Sequence, residues 1–155
     1  MFLADRIEID PAVMLGKPVI RGTRIPVELI IRKLSEGATE ADLLDAYPRL
    51  TRADIRAALA NVDIVVAARP SPVQRRQAGL GDDELLLGLY EGVPQTERGT
   101  GYGMVLPDKI TVFQEAVEAV CRDEAEIVEE VRRVVLHEVA HHFGIGDARL
   151  EELGL

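Results

Sequence analysis

The chain has one cysteine in 155 residues, Cys121, so no disulfide can form within it. Without a histidine to pair with, Cys121 reads as a buried thiol. No stretch is long and apolar enough for a membrane span, and nothing from Met1 onward has the order of a signal peptide. The expectation is a cytoplasmic protein with no membrane contact. Internal repeats and low-complexity tracts are missing too, and Asp82-Asp83-Glu84 reads as a solvated turn. There is no excess of positive charge. The formal net charge is -9, and all of it lies in one half: residues 1 to 60 carry nine basic and nine acidic side chains, residues 61 to 155 nine and eighteen. The split points to two modules.

Histidine is scarce as well, three in the whole chain, yet all three fall between 137 and 142. They belong to the string His137-Glu138-Val139-Ala140-His141-His142-Phe143-Gly144-Ile145-Gly146-Asp147, which reads H-E-x-x-H-x-x-G-x-x-D. At about 100° per residue, His137 and His141 sit one helical turn apart and about 40° off alignment, so both imidazoles can reach one ion. Glu138, about 100° round from His137, is placed to touch a water on that ion, the position of a general base. Catalytic zinc sites commonly take three protein ligands and leave one position open. His142, about 140° round from His137, faces elsewhere. Gly144 can adopt a positive φ and turn the chain back, which makes Asp147 the third ligand; its other reading is an N-cap for a last helix from Ala148 to Leu153.

The helix carrying this string starts at Asp123 and Glu126, and Ile127, Val128, Val131, Val134, Val135 and Val139 give it an apolar stripe. Three short apolar runs lie upstream, Val62 to Ala67, Leu85 to Tyr90 and Lys109 to Phe113. They predict a small sheet covered by the metal helix. Together with Leu87-Gly88-Leu89-Tyr90-Glu91-Gly92-Val93-Pro94, Thr96-Glu97-Arg98-Gly99, Gly101-Tyr102-Gly103 and Val105 to Thr111, these runs resemble the small bacterial zincin-like metallopeptidase family over residues 61 to 155. The resemblance implies a minimal zincin-like fold, one zinc ion on His137, His141 and Asp147 with Glu138 as the catalytic residue, and peptidase activity on a peptide or protein substrate. Tyr102, Arg98 and His142 are the candidates for an oxyanion or substrate contact. The glycines at 99, 101 and 103 make Gly101 to Leu106 either a strand edge for an extended substrate or an ordinary turn.

In the first half, Ile7 to Ile9 and Val19 to Ile25 read as extended pieces broken by turn formers. Three short helices follow: one opened by Pro26 and running to Leu34 with Gly37 past its end, one capped by Thr39 and Asp42 to Tyr47, and one capped by Thr51 and Asp54 to Ala60. Asp10-Pro11, Gly16 to Val27, Gly37, Tyr47-Pro48 and Leu50-Thr51 resemble, over residues 5 to 60, an antitoxin-type helix-turn-helix family of unknown function. That resemblance implies a DNA or toxin partner. Arg49, Arg52 and Arg56 are the candidate DNA contacts, with a solvated arginine face as the alternative.

The expected architecture is therefore α+β, with a helix-turn-helix module at 1–60 and a zincin-like domain at 61–155. The third helix runs into Asn61 without a linker, so the sequence leaves open whether one helix serves both modules. The function expected is zinc-dependent peptide hydrolysis. The alternative is a DNA- or toxin-binding regulator whose zinc site is structural or sensory.

Overall fold

The computed structural model describes residues 2–4, 6–59, 62–98 and 108–155. Strands β1 (Phe2–Ala4), β2 (Ile7–Glu8) and β3 (Val19–Ile20) form an antiparallel sheet in that order. β3 is shorter than the apolar run predicts. Gly22, at φ +71°, folds the chain back, so that Ile20 N–H donates to Ile25 C=O at 2.9 Å and Val19 bridges Pro26.

Helix α1 (Val27–Ser35) follows Pro26, which sits at its N-cap, one position earlier than a first-turn proline. Val27, Ile30 and Ile31 are buried at the spacing of one helix face. Its end is fixed by Gly37 at φ +96°: Gly37 N–H donates to Leu34 C=O and Ala38 N–H to Lys33 C=O, the paired bonds of a left-handed cap. Helices α2 (Glu40–Ala46) and α3 (Arg52–Ala58) start at the two capping boxes expected, Thr39 with Asp42 and Thr51 with Asp54. α3 ends at Ala58 rather than Ala60.

Asp54 does more than cap. It is 5% exposed, takes Thr51 N–H and Oγ1 on one oxygen at 2.8 and 2.7 Å, and receives Arg6 on the other at 3.0 Å. Burial pushes its carboxyl up, but the Thr51 and Arg6 hydrogen bonds outweigh it and hold the pKa below the ordinary value. A carboxyl with a depressed folded pKa adds stability that is complete above the unfolded value, about 3.9 for Asp, and disappears as pH falls through the lower folded one. Asp54→Ala is therefore expected to cost about 1–2 kcal/mol at neutral pH and to flatten the loss of stability below about pH 4, as measured by urea melts across that range.

The second sheet is built from β4 (Asp63–Ala67), β5 (Gly88–Glu91) and β6 (Lys109–Phe113), in the order β4-β6-β5. Central β6 pairs parallel with β4 and antiparallel with β5. Between β4 and β5 lies α4 (Pro72–Gln77), opened by a Ser71–Gln74 capping box, and β6 runs straight into α5 (Gln114–Val120). Helix α6 (Glu124–His142) and α7 (Asp147–Leu153) complete the chain. α6 lies over β5 and β6, as expected of a sheet covered by the metal helix. Its stripe is narrower than the sequence implies: Val134 and Val139 are buried, but Val128 is 61% exposed. β4 is also uncovered, with Ile64, Val65 and Val66 at 55%, 44% and 66% exposure.

The two halves share one hydrophobic core. Ile7, Val27, Ile30, Ile31 and Ile55 belong to the same buried cluster as Ile110, Val134, Val139 and Leu150. The helix that joins them is α1, packed on α6; α3 packs on α1, α2 and β2. Ile55 and Ala58 of α3 are buried in the same cluster. Among the described residues, no helix is long and apolar enough to cross a membrane.

Candidate metal centre

Asp123 caps α6, accepting Glu126 N–H at 2.9 Å, and the helix then runs unbroken through the histidines. His137 and His141 emerge on one face with ring centroids 4.8 Å apart. Gly144 at φ +76° ends the helix with a left-handed cap, donating to His141 C=O at 2.9 Å while Ile145 N–H donates to Ala140 C=O at 3.0 Å. No larger residue fits there, because a Cβ on Gly144 would overlap the Thr96 side chain. The reversed chain opens α7 at Asp147, whose Oδ1 stands 3.1 Å from His141 Nε2 and 3.5 Å from His137 Nε2. The three ligand atoms lie within 4.8 Å of one another. Both sequence readings of Asp147 meet in part: it is the first residue of the last helix and it faces the histidines, while the N-cap is Gly146.

The protonation pattern of this group is constrained. His141 Nδ1 lies 3.0 Å from Ile145 C=O, which can only accept, so Nδ1 carries a hydrogen and Nε2 is the nitrogen turned toward Asp147. Burial, with His141 beside it, lowers the His137 pKa, which favours the neutral imidazole that a metal ion needs. Ligands about 2.0–2.2 Å from a tetrahedral zinc stand about 3.3–3.6 Å apart; the 3.5 Å separation falls in that range and the 3.1 Å one is slightly shorter. The donor set fits a divalent metal ion.

Glu138 is 8% exposed, and burial pushes its carboxyl above the usual range, against the favourable His141 and Tyr90 N–H. Tyr90 N–H donates to Oε2 at 2.8 Å. This bond reports the orientation of β5. Leu87 C=O accepts from Phe113 N–H at 2.9 Å, so with the register Leu89 to Thr111 the odd positions bond to β6 and the backbone groups of Gly88 and Tyr90 turn outward. The outer edge of β5 thus borders a cleft of about 350 Å³ lined by Leu80, Leu86, Gly88, Tyr90 and the four residues His137, Glu138, His141 and Asp147. Gln77 and Ala78, at the end of α4, close its far wall. Gly88 sets the depth, because a Cβ there would overlap Val134 Cγ1 of α6.

The other candidates lie elsewhere. His142 is 4% exposed, with Nδ1 at 3.2 Å from Asp108 Oδ2 and 3.3 Å from Tyr90 Oη. Burial, with Arg98 nearby, lowers its pKa to about 4, so the ring is neutral. Arg98 gives Nη2 to Asp108 and Nε to Val93 C=O. Neither lines the cleft. Tyr102 and the segment Gly101 to Leu106 lie outside the described residues. In the first half, Arg49 donates to Gly22 C=O at 2.7 Å, Arg52 stands 3.5 Å from Glu40, and Arg56 is exposed. Sequence reasoning did not single out Gly88, Tyr90 or Thr96 as site-forming. Their signal was in the family-like block around Leu87 to Thr96, which carries no chemistry of its own.

A family model described as "Zincin-like metallopeptidase" matches residues 59–155, and one described as "Protein of unknown function (DUF433)" matches residues 7–60. An uncharacterized protein of Archaeoglobus fulgidus is 57% identical over 28 residues, 18% of this chain and 78% of that one. The stretch from residue 59 onward contains every side chain of the candidate centre and makes up more than half of the chain, and on that match the protein belongs to the family of zincin-like metallopeptidases.

Proposed function

We propose that the protein is a zinc-dependent metallopeptidase in which His137, His141 and Asp147 hold one ion and Glu138 is the general base. The observation that carries this reading is the convergence of His137, His141 and Asp147, with His141 Nε2 and Asp147 Oδ1 3.1 Å apart, beside a buried carboxyl, Glu138, that is not itself part of the ligand set. A purely structural zinc site is usually closed by four protein ligands, and the described residues here supply three.

Held by His137, His141 and Asp147, a zinc ion would supply Lewis acidity toward a peptide carbonyl and toward water. Glu138 takes the proton from the attacking water and gives it to the leaving amine. Tyr90 N–H anchors Oε2, so the carboxyl is oriented and Oε1 is the oxygen that carries the proton. The raised pKa suits a group that must release the proton again. The outward N–H and C=O of Gly88 offer an extended peptide two backbone partners, which makes β5 the edge along which substrate lies.

Metal analysis of protein purified without added metal tests the reading. Wild type should carry about one zinc per chain; His141→Ala should lose it, and Asp147→Ala should hold it at least roughly tenfold more weakly. No zinc in the wild type after reconstitution would overturn the proposal. The regulator reading, with Arg52 and Arg56 on the exposed face of α3 as contacts for DNA or a toxin, would then lead.

A further inference from the structure

The Asp147 side chain is 85% exposed, so no packing around the carboxylate fixes it. Its position has to come from its backbone, and therefore from whatever holds the start of α7. Two anchors are present. Leu150, 0% exposed, fastens one face of the helix into the common core. Arg149, two residues after Asp147, reaches across to the first half of the chain: Nη2 donates to Glu28 Oε1 at 2.8 Å and Nε to Oε2 at 3.2 Å. This is a two-pronged pair, which fixes direction as well as distance. Glu28 sits on α1, only 12% exposed at its side chain, and Lys17 Nζ at 2.7 Å adds a second cation. Burial pushes the Glu28 carboxyl up, but Arg149 and Lys17 outweigh it and hold it below the ordinary value, so it is a carboxylate across the neutral range.

We infer that Glu28 and Arg149 are positioning residues for the metal centre: the fork between α1 and α7 sets the start of α7 and so holds Asp147 against the two histidines. The first half of the chain is then part of the metallopeptidase rather than a separate binding module. This inference rests on the reading of Asp147 as a ligand.

The chain offers an internal control. Arg132 on α6 also ties the two halves together, donating to Ala38 C=O at 3.3 Å, but it lies more than one helical turn before His137 and is not part of the fork. A general loss of stability at the junction would follow either substitution, whereas a loss of ligand placement follows only a change to the fork.

The test is zinc affinity of the full chain, measured by competition with a chromogenic chelator, for wild type, Glu28→Gln, Arg149→Lys and Arg132→Ala, each with its metal-free Tm. Glu28→Gln is expected to weaken zinc roughly ten- to a hundredfold, the range found for groups that orient metal ligands. Arg149→Lys keeps the charge and loses the fork, and should fall between. Arg132→Ala should lower Tm and leave affinity within about twofold of wild type, because it orients no ligand. Unchanged affinity in both Glu28→Gln and Arg149→Lys would overturn the inference while leaving the zinc site intact, as would an equal loss in Arg132→Ala. If Glu28→Gln fails to fold, Arg149→Lys alone decides between the two outcomes. A wild type without zinc fails at the earlier step and takes this inference with it.

Discussion

Glu138→Gln is expected to keep its zinc and its fold and to lose between about a hundred and ten thousand fold in peptide hydrolysis, the range that a positioned general base supplies. The substitution is nearly isosteric, and the amide oxygen still accepts Tyr90 N–H, so the link between β5 and α6 survives. What disappears is the ability to take up and return a proton. The measurement is turnover of a pool of quenched fluorescent peptides, beside zinc content of the same preparations. Loss of activity with full zinc isolates the base from the ligands. Full activity in the variant would mean that another group moves the proton, and would remove Glu138 from the mechanism.

The other large effect is steric. Gly88 lets α6 lie directly on the edge strand, since a Cβ there would overlap Val134 Cγ1 and stand 3.5 Å from Glu138 Cγ. Gly88→Ala should therefore push the helix outward, at about 1–3 kcal/mol of stability, the usual cost of overfilling a packed interior. The same displacement moves Glu138 from Tyr90 N–H, so activity should fall further than stability alone accounts for. The overlapping atom names its own remedy: Val134→Ala, destabilising by itself, should recover stability when combined with Gly88→Ala, and urea melts of wild type, both single variants and the double variant give the coupling. Additive losses would show that the crowding lies elsewhere.

The grouping of His137, His141 and Asp147 was legible in the sequence because helical spacing converts the positions of the two histidines directly into geometry, and because Gly144 marks where the chain turns. The capping boxes at Thr39 and Thr51 were equally plain, since each is a local exchange of two hydrogen bonds. Less was visible where placement depends on distant partners. Nothing around Glu28 or Arg149 announces that residues 121 positions apart will meet. α4 carries almost no apolar periodicity, only Ser71 and Gln74, and α5 follows β6 with no turn residue to separate them. The β-branched run of β4 resembles a buried strand, and its exposure reflects where α6 lies, a tertiary fact. The role of Tyr90 belongs to its backbone, which no side-chain pattern encodes.

The parallel pairing of β4 with β6 also bears on how the chain assembles. β5 meets β6 across one connection, but β4 is separated from its partner in sequence by α4, β5 and the residues after it. Closing the longer loop costs more chain entropy, so β5, β6 and α6 are expected to come together first and β4 to dock last, an order that pulsed hydrogen exchange of the β4 amides during refolding would check. Until it does, β6 presents an open hydrogen-bonding edge beside Ile110 and Val112, and the nearly finished chain is most exposed to pairing with the wrong strand at that stage.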